Sequence, residues 1–318
     1  MCGIVGYVGA KDAYPIIIKG LKRLEYRGYD STGVSVGNKN GISLLKQKGK
    51  VADLEAYAAN KDKSGSIGIG HTRWATHGIP NQANAHPHMS GDGKLSIIHN
   101  GIIENYASIK KDLEAKGHTF KSDTDTEVLI HLIEDIKNHE KVNLFEAVRI
   151  ALSEVIGAYA IVVMEEGVNN EFIAARKGSP LVIGVGRNEY YIASDATPII
   201  EYTNEVVYLE DGEIARVNAG EPLEIKTVEN ETKTPYIEEL LAAAPEQLAN
   251  GGSCVANPDG SWLIEPQVNI EGVFCAEILL DRVYEERQNF DPVGHYSRPD
   301  VTQLHINRER QSTVKIKD

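Results

Sequence analysis

The chain opens with Met1-Cys2-Gly3-Ile4-Val5-Gly6. Removal of the initiator methionine, which a residue as small as cysteine permits, leaves Cys2 with a thiol and a free α-amine on one residue. An unperturbed α-amine has a pKa of roughly 7.7–8.0 and a free thiol one of about 8.5, so the amine can act as base for the thiol near neutral pH, directly or through a water. Gly3 lets the backbone pass close to a substrate, and Ile4-Val5 reads as the start of a buried strand. The same six residues also describe a small cysteine packed near a chain end, since free cysteine is usually inert. The rest of the chain decides.

Its 318 residues suffice for one large domain or two with a sizeable core. Apolar and charged fractions of 42% and 25% are those of an ordinary globular chain. A formal net charge of −13 argues against nucleic acid as a partner, because phosphate binding needs a basic face. The three cysteines, Cys2, Cys254 and Cys275, form no disulfide framework and no C-x-x-C pair, which suits a reducing compartment. No apolar run is long enough to span a membrane and no signal peptide precedes Cys2, so a cytoplasmic location is expected.

Apolar spacing predicts a helix over 12–26, closed by Arg27-Gly28-Tyr29-Asp30-Ser31, then strands at 32–36 and 42–46, a short helix near 50–60 and a strand at 66–70. His71-Thr72-Arg73-Trp74-Ala75-Thr76-His77-Gly78 is expected to be a binding loop after that strand, with Arg73 able to grip a carboxylate bidentately. Asn84-Ala85-His86-Pro87-His88 reads as a loop without a metal, and no cofactor is expected. Strand 96–99 is expected to end in an Asn100-Gly101 turn that can also present an oxyanion site, the Asn100 amide and Gly101 N–H being the donors. Helices are predicted at 104–116, 124–139 and 144–155. Ser122-Asp123-Thr124-Asp125-Thr126-Glu127 caps the second, and a carboxylate left over there can hold a substrate ammonium. Strands at 158–165, 171–176, 181–185 and 189–193, a short helix at 196–202, a hairpin 206–209/213–216 turned at Asp211-Gly212, and a strand at 222–228 complete this part.

These motifs, with Gly178-Ser179-Pro180-Leu181-Val182-Ile183-Gly184 and Ala193-Ser194-Asp195, make residues 1–235 resemble the glutaminase domain of the glucosamine-6-phosphate synthases, the isomerizing glutamine–fructose-6-phosphate aminotransferases. The resemblance implies an α+β fold, the four-layer α-β-β-α sandwich of the N-terminal-nucleophile hydrolases, acting on L-glutamine through a γ-glutamyl thioester. By matching motif it implies Cys2 as nucleophile, Arg73 on the glutamine α-carboxylate, Asp125 on the α-ammonium and Asn100 and Gly101 as oxyanion hole. Trp74, Thr76 and His77 would line the pocket, and Arg27 would help order it. The two sugar isomerase domains of that family have no counterpart here, so an acceptor for ammonia is expected on another domain or subunit.

Residues 237–250 read as a linker. The remainder, 251–318, is similar to the C-terminal end of nitrilases: strand, Pro258-Asp259-Gly260 turn, strand, a third strand at 272–278, a helical run at 280–288, and His295-Tyr296-Ser297-Arg298-Pro299-Asp300. That family's catalytic residues are missing, and Cys254 and Cys275 are expected to be strand residues without a catalytic role. The alternatives to a glutaminase are a non-catalytic chimera or fragment whose tail drives self-association into a homo-oligomer, and a nitrilase-type C–N hydrolase.

Overall fold

The computed structural model describes residues 2–74, 81–240, 251–256 and 262–268; Arg27 and the last two segments enter as backbone only. The first half runs β1 (Gly3–Val8), α1 (Ala13–Leu24), a 3-10 turn (Glu25–Arg27), β2 (Ser31–Asn38), β3 (Gly41–Lys48), α2 (Val51–Ala58), β4 (Ile67–Arg73), β5 (His88–Met89), β6 (Leu95–Ile103), α3 (Tyr106–Ala115), α4 (Asp125–Glu140) and α5 (Leu144–Glu154). There follow β7 (Gly157–Glu165), β8 (Glu171–Lys177), β9 (Val182–Gly186), β10 (Glu189–Ala193), β11 (Glu205–Tyr208), β12 (Glu213–Asn218), β13 (Glu224–Thr227), β14 (Thr232–Lys233) and β15 (Glu238–Glu239), then β16 (Gly251–Ala256) and β17 (Trp262–Val268). The chain divides into two compact units, Met1–Ala242 and Ala243–Asp318. In the second, β16 and β17 form an antiparallel pair. The strand expected at 272–278, the helical run at 280–288 and the element 295–300 lie outside the described residues.

The first unit is a four-layer sandwich, α-β-β-α, the arrangement that the resemblance implies. One sheet has eight strands in the order β15-β11-β9-β10-β1-β4-β2-β3, and the other has seven, β14-β13-β12-β8-β7-β6-β5. Strand alternation explains why both sheets are covered twice. In β1, Val5 and Tyr7 face α1 while Ile4 and Val8 face the other sheet. In β7 and β8, Ile161, Val163, Ile173 and Ala175 meet the helical layer of α3, α4 and α5, while Val162, Met164, Phe172 and Ala174 meet the facing sheet. In β4 the outward positions are glycines: a Cβ at Gly70 would lie 2.4 Å from Ile17 of α1, so the helix seats directly on the strand backbone.

Three departures from the sequence expectations have local causes. The hairpin expected across 206–216 does not form: β11 pairs with β9 in one sheet and β12 with β8 and β13 in the other. The Asp211-Gly212 turn is a crossover tied to β8, with Asp211 Oδ1 accepting from Arg176 and the Gly178 N–H and Gly212 donating to the Arg176 carbonyl. Residues 196–202 form successive turns rather than a helix, begun where Asp195 captures both the N–H and the hydroxyl of Thr197. Glu238 and Glu239, placed in a linker by the sequence reading, pair with β11 as an edge strand. No helix among the described residues is long and apolar enough to cross a membrane.

Candidate active site

The site forms where the start of β1, the end of β4 and the end of β6 meet between the sheets. The antiparallel pairing of Gly3 with Thr72 brings Cys2 beside Arg73 and Trp74. The Trp74 N–H donates to Cys2 Sγ at 3.2 Å. Burial raises the Cys2 thiol above its ordinary pKa, partly offset by that N–H, by the positive chain terminus and by Arg73. A thiol held in this way is protonated at neutral pH and needs a base to react.

Asn100 reaches across from the second sheet. Even-numbered residues of β6 face inward: Ser96 meets Ser35 of β2 at 2.7 Å, and Ile98 enters the inter-sheet core. Asn100 therefore points at Cys2, its Nδ2 donating to the Cys2 carbonyl at 3.0 Å. His71 Nε2 lies 2.9 Å from Asn100 Oδ1 and donates to it, which fixes the amide with its NH2 group toward Cys2. Gly101 follows at φ +135°, where an added Cβ would lie 2.0 Å from the Ala158 carbonyl, so only glycine fits. Asn100 and Gly101 pair with Ala160 and Tyr159, so they are strand residues rather than the expected tight turn.

The expected loop at 71–78 is corrected for its first three residues. His71, Thr72 and Arg73 continue β4 and are buried. The inward period of two set by Ile67 and Ile69 simply runs on to His71 and Arg73. Trp74 leaves the strand 48% exposed, its ring edge-on to Tyr29 at 5.4 Å. A Cβ at Gly28 would touch the Arg73 and Trp74 backbone at about 3 Å, which lets the segment after α1 close over them. Thr76 and His77 lie outside the described residues, as does the Arg27 side chain.

Asp125 enters from α4. Thr124 is the N-cap, its hydroxyl accepting the Glu127 N–H, while buried Glu127 takes the N–H groups of Lys121 and Ser122 and the Ser122 hydroxyl. Capping is thus met without Asp125, whose Oδ2 accepts the Ile103 N–H at 2.8 Å at the positive end of the helix. Cys2, Arg73, Trp74, Asn100, Gly101 and Asp125 together line one pocket.

His71, His86, His99, Thr124 and Thr126 complete the lining; the sequence reading placed His71 in a binding loop and gave the other four no site role. His86 stacks on His71 at 4.3 Å and packs edge-on to His88, so the segment expected to be a loop is one up to Pro87, but a buried one. His99 faces α4 and meets Thr126 Oγ1 at 2.9 Å, while His88 meets Thr124 Oγ1 at 3.1 Å. Desolvation keeps all four imidazoles neutral: His71 is pulled down to about 3, His86 and His88 lie well below their ordinary value, and His99 is lowered too. Strand parity carried past Gly70 would have found His71; His99 has the opposite parity on β6, toward α4, and nothing local marks His86.

The chain matches the glutamine amidotransferase domain family over residues 53–252, a span that holds Arg73, Asn100, Gly101 and Asp125 and starts after Cys2. It is 58% identical over 253 residues to the glutamine–fructose-6-phosphate aminotransferase (isomerizing) of Bacteroides thetaiotaomicron, covering 79% of this chain and 41% of that protein. It is 49% identical over 229 residues to the enzyme of that name from Thermus thermophilus, covering 72% and 37%. The chain therefore spans about two-fifths of the length of these relatives. Among solved structures it is similar to the glutamine phosphoribosylpyrophosphate amidotransferase of B. subtilis, with TM-score 0.61 and 28% identity over 71% of this chain and 49% of the other. An allosteric regulatory enzyme of purine biosynthesis aligns with TM-score 0.62 and 30% identity over the same shares. With the family matched over more than half its length on the sandwich described above, the chain belongs to the class II glutamine amidotransferases.

Proposed function

We propose that this chain hydrolyses the side-chain amide of L-glutamine at Cys2, as the glutaminase part of a glutamine–fructose-6-phosphate aminotransferase. Removal of Met1 makes the Cys2 α-amine the base. It takes the thiol proton as sulfur attacks the amide carbon, and the oxyanion that forms is held by the Asn100 NH2 group and the Gly101 N–H. The protonated amine gives its proton to the leaving nitrogen, and ammonia departs from a γ-glutamyl thioester. Water then attacks the thioester and releases glutamate. Arg73 holds the α-carboxylate bidentately and Asp125 the α-ammonium, which selects a free amino acid over a peptide-linked side chain. Trp74 lines the same pocket, and the family resemblance adds Thr76 and His77 to the glutamine site and Arg27 to its ordering.

The observation that carries this reading is the convergence of a thiol, a guanidinium, a carboxamide, a glycine and a carboxylate on one pocket. The raised thiol pKa supports the need for an adjacent base. The ammonia acceptor is a sugar-binding domain or subunit, in keeping with the names of the relatives and the two-fifths of their length that this chain spans. Glutamate release by the purified chain is expected to fall to background in Cys2→Ala, a loss of at least about 10³-fold. Equal rates in the two proteins would end the proposal.

A further inference from the structure

We propose that His118, His131 and Glu134 bind a zinc-class divalent cation on the outer helical layer, at a site that stands independently of the glutamine reading. His131 and Glu134 lie one turn apart on α4 and share a face. His118 follows the end of α3, where its N–H closes onto the Leu113 carbonyl and the chain passes Gly117 at φ +96°. His118 Nδ1 and His131 Nδ1 are 3.1 Å apart, and each is 3.8 Å from Glu134 Oε2. A point equidistant from these three atoms lies about 2.1 Å from each, the bond length of zinc to imidazole nitrogen and carboxylate oxygen. Two imidazoles and one carboxylate then form three protein ligands, leaving a fourth position for water.

The surroundings orient the ligands as a metal site requires. His118 Nε2 faces Asp135 Oδ1 at 3.4 Å, so the proton sits on Nε2 and the Nδ1 lone pair turns toward His131 and Glu134. Asp135 is itself held by Lys116 and His139. Glu134 is fixed by the N–H groups of Gly91 and Asp92, at 2.9 and 2.8 Å. A Cβ at Gly91 would approach Glu134 Oε2 to 3.0 Å and His131 Cε1 to 3.3 Å, so a side chain there would crowd the cluster. The rival account is a bare hydrogen bond between the two imidazoles. It explains 3.1 Å, with Glu134 held by the Gly91 and Asp92 N–H groups, but leaves a carboxylate oxygen equidistant from both nitrogens and, at 3.8 Å, bonded to neither; metal binding separates the two accounts. The ion would brace the α3–α4 connection to α4 and to the Gly91-Asp92 turn.

The test uses the full chain, stripped with a chelator and titrated with Zn2+ by calorimetry and with Co2+ by visible absorption. One equivalent should bind to this site, giving the intense bands of a four- or five-coordinate cobalt centre without thiolate charge transfer. His118→Ala and His131→Gln should each weaken binding at least roughly 30-fold, and Asp135→Asn roughly 10-fold by releasing the His118 tautomer. Zn2+ at a hundredfold excess over Kd should raise Tm by about 5 °C in the wild type and not in His118→Ala. If His131→Gln fails to fold, the less buried His118 and the Asp135→Asn substitution still decide. Absence of binding in the wild type overturns the proposal, as does binding that is unchanged in the His118 and Asp135 variants.

Discussion

Two groups of histidines lie along the same helix, α4, and their partners separate what they do. His71, His86, His88 and His99 are buried behind the pocket, and their hydrogen-bonding neighbours are neutral: Asn100, Thr124, Thr126 and one another's backbone. His118 and His131 face carboxylates, Glu134 and Asp135. Neutral partners in a dry wall favour an uncharged ring that positions its neighbours. Carboxylates around two converging imidazole nitrogens favour a cation. Helix α4 joins the groups, with Thr124, Asp125 and Thr126 at its first turn and His131, Glu134 and Asp135 further along. Sequence alone does not distinguish them, because a histidine's role here is set by what the other layer places against it.

The sharpest way to break this comparison is through Asn100, the group that His71 holds. Asn100→Ala is expected to lower kcat for glutamine hydrolysis about 10²- to 10³-fold, the usual loss of one oxyanion donor, with a smaller change in KM. Metal affinity at His118 and His131 should not move. A variant with wild-type kcat would show that His71 orients nothing of catalytic value.

A second expectation concerns protons. The folded pKa of His71, about 3, lies below the roughly 6.5 of an unfolded histidine. Between those values the unfolded chain binds a proton that the folded chain refuses, so the stability is complete above about pH 6.5 and is lost as pH falls toward 3. His71 alone accounts for a decline on the order of 2 kcal/mol between pH 6 and pH 4, and the lowered pKa values of His86, His88 and His99 act in the same direction. Urea midpoints measured across that window check it, with imidazole NMR to show that none of the four titrates at its ordinary value. A midpoint constant from pH 7 to pH 5 would mean that the inner group is solvated and charged.

Much of this architecture was legible in the chain itself. The helix at 12–26 and the strands at 158–165, 171–176 and 189–193 lie within a few residues of their observed bounds, because apolar period and turn residues agree there. The hairpin at 206–216 was not legible: Asp211-Gly212 is a good local turn, and only Arg176 and Gly178, more than thirty residues away, make it a crossover between sheets. Cys2, Arg73, Asn100 and Gly101 stand out because each has a reactive or unusual side chain or backbone, whereas only the family resemblance singles out Asp125 among the carboxylates of 122–127. The polar ends of β4 and β6 were misread as loops because polarity inside a strand is rare unless it faces a pocket, and the pocket requires both sheets. Thr124 and Thr126 were hidden by their ordinary value as helix starters.

Thr124 gives the smallest effect and the finest division between the two regions. Its hydroxyl caps α4 through the Glu127 N–H, contacts Ser122 Oγ at 2.9 Å and meets His88 Nε2 at 3.1 Å. Thr124→Ala removes the cap, which costs about 1 kcal/mol, and leaves a buried imidazole nitrogen without its partner, for a total of about 1–2 kcal/mol by chemical denaturation. Thr124→Ser keeps the oxygen and should recover most of that loss. Because α4 stays folded beyond its first turn, Zn2+ affinity should remain within about twofold of wild type. If Thr124→Ala weakens metal binding as strongly as His118→Ala does, α4 transmits disorder along its length and the two histidine groups form one cooperative unit. If only stability and glutamine turnover respond, the first turn belongs to the pocket and the middle of the helix to the cation.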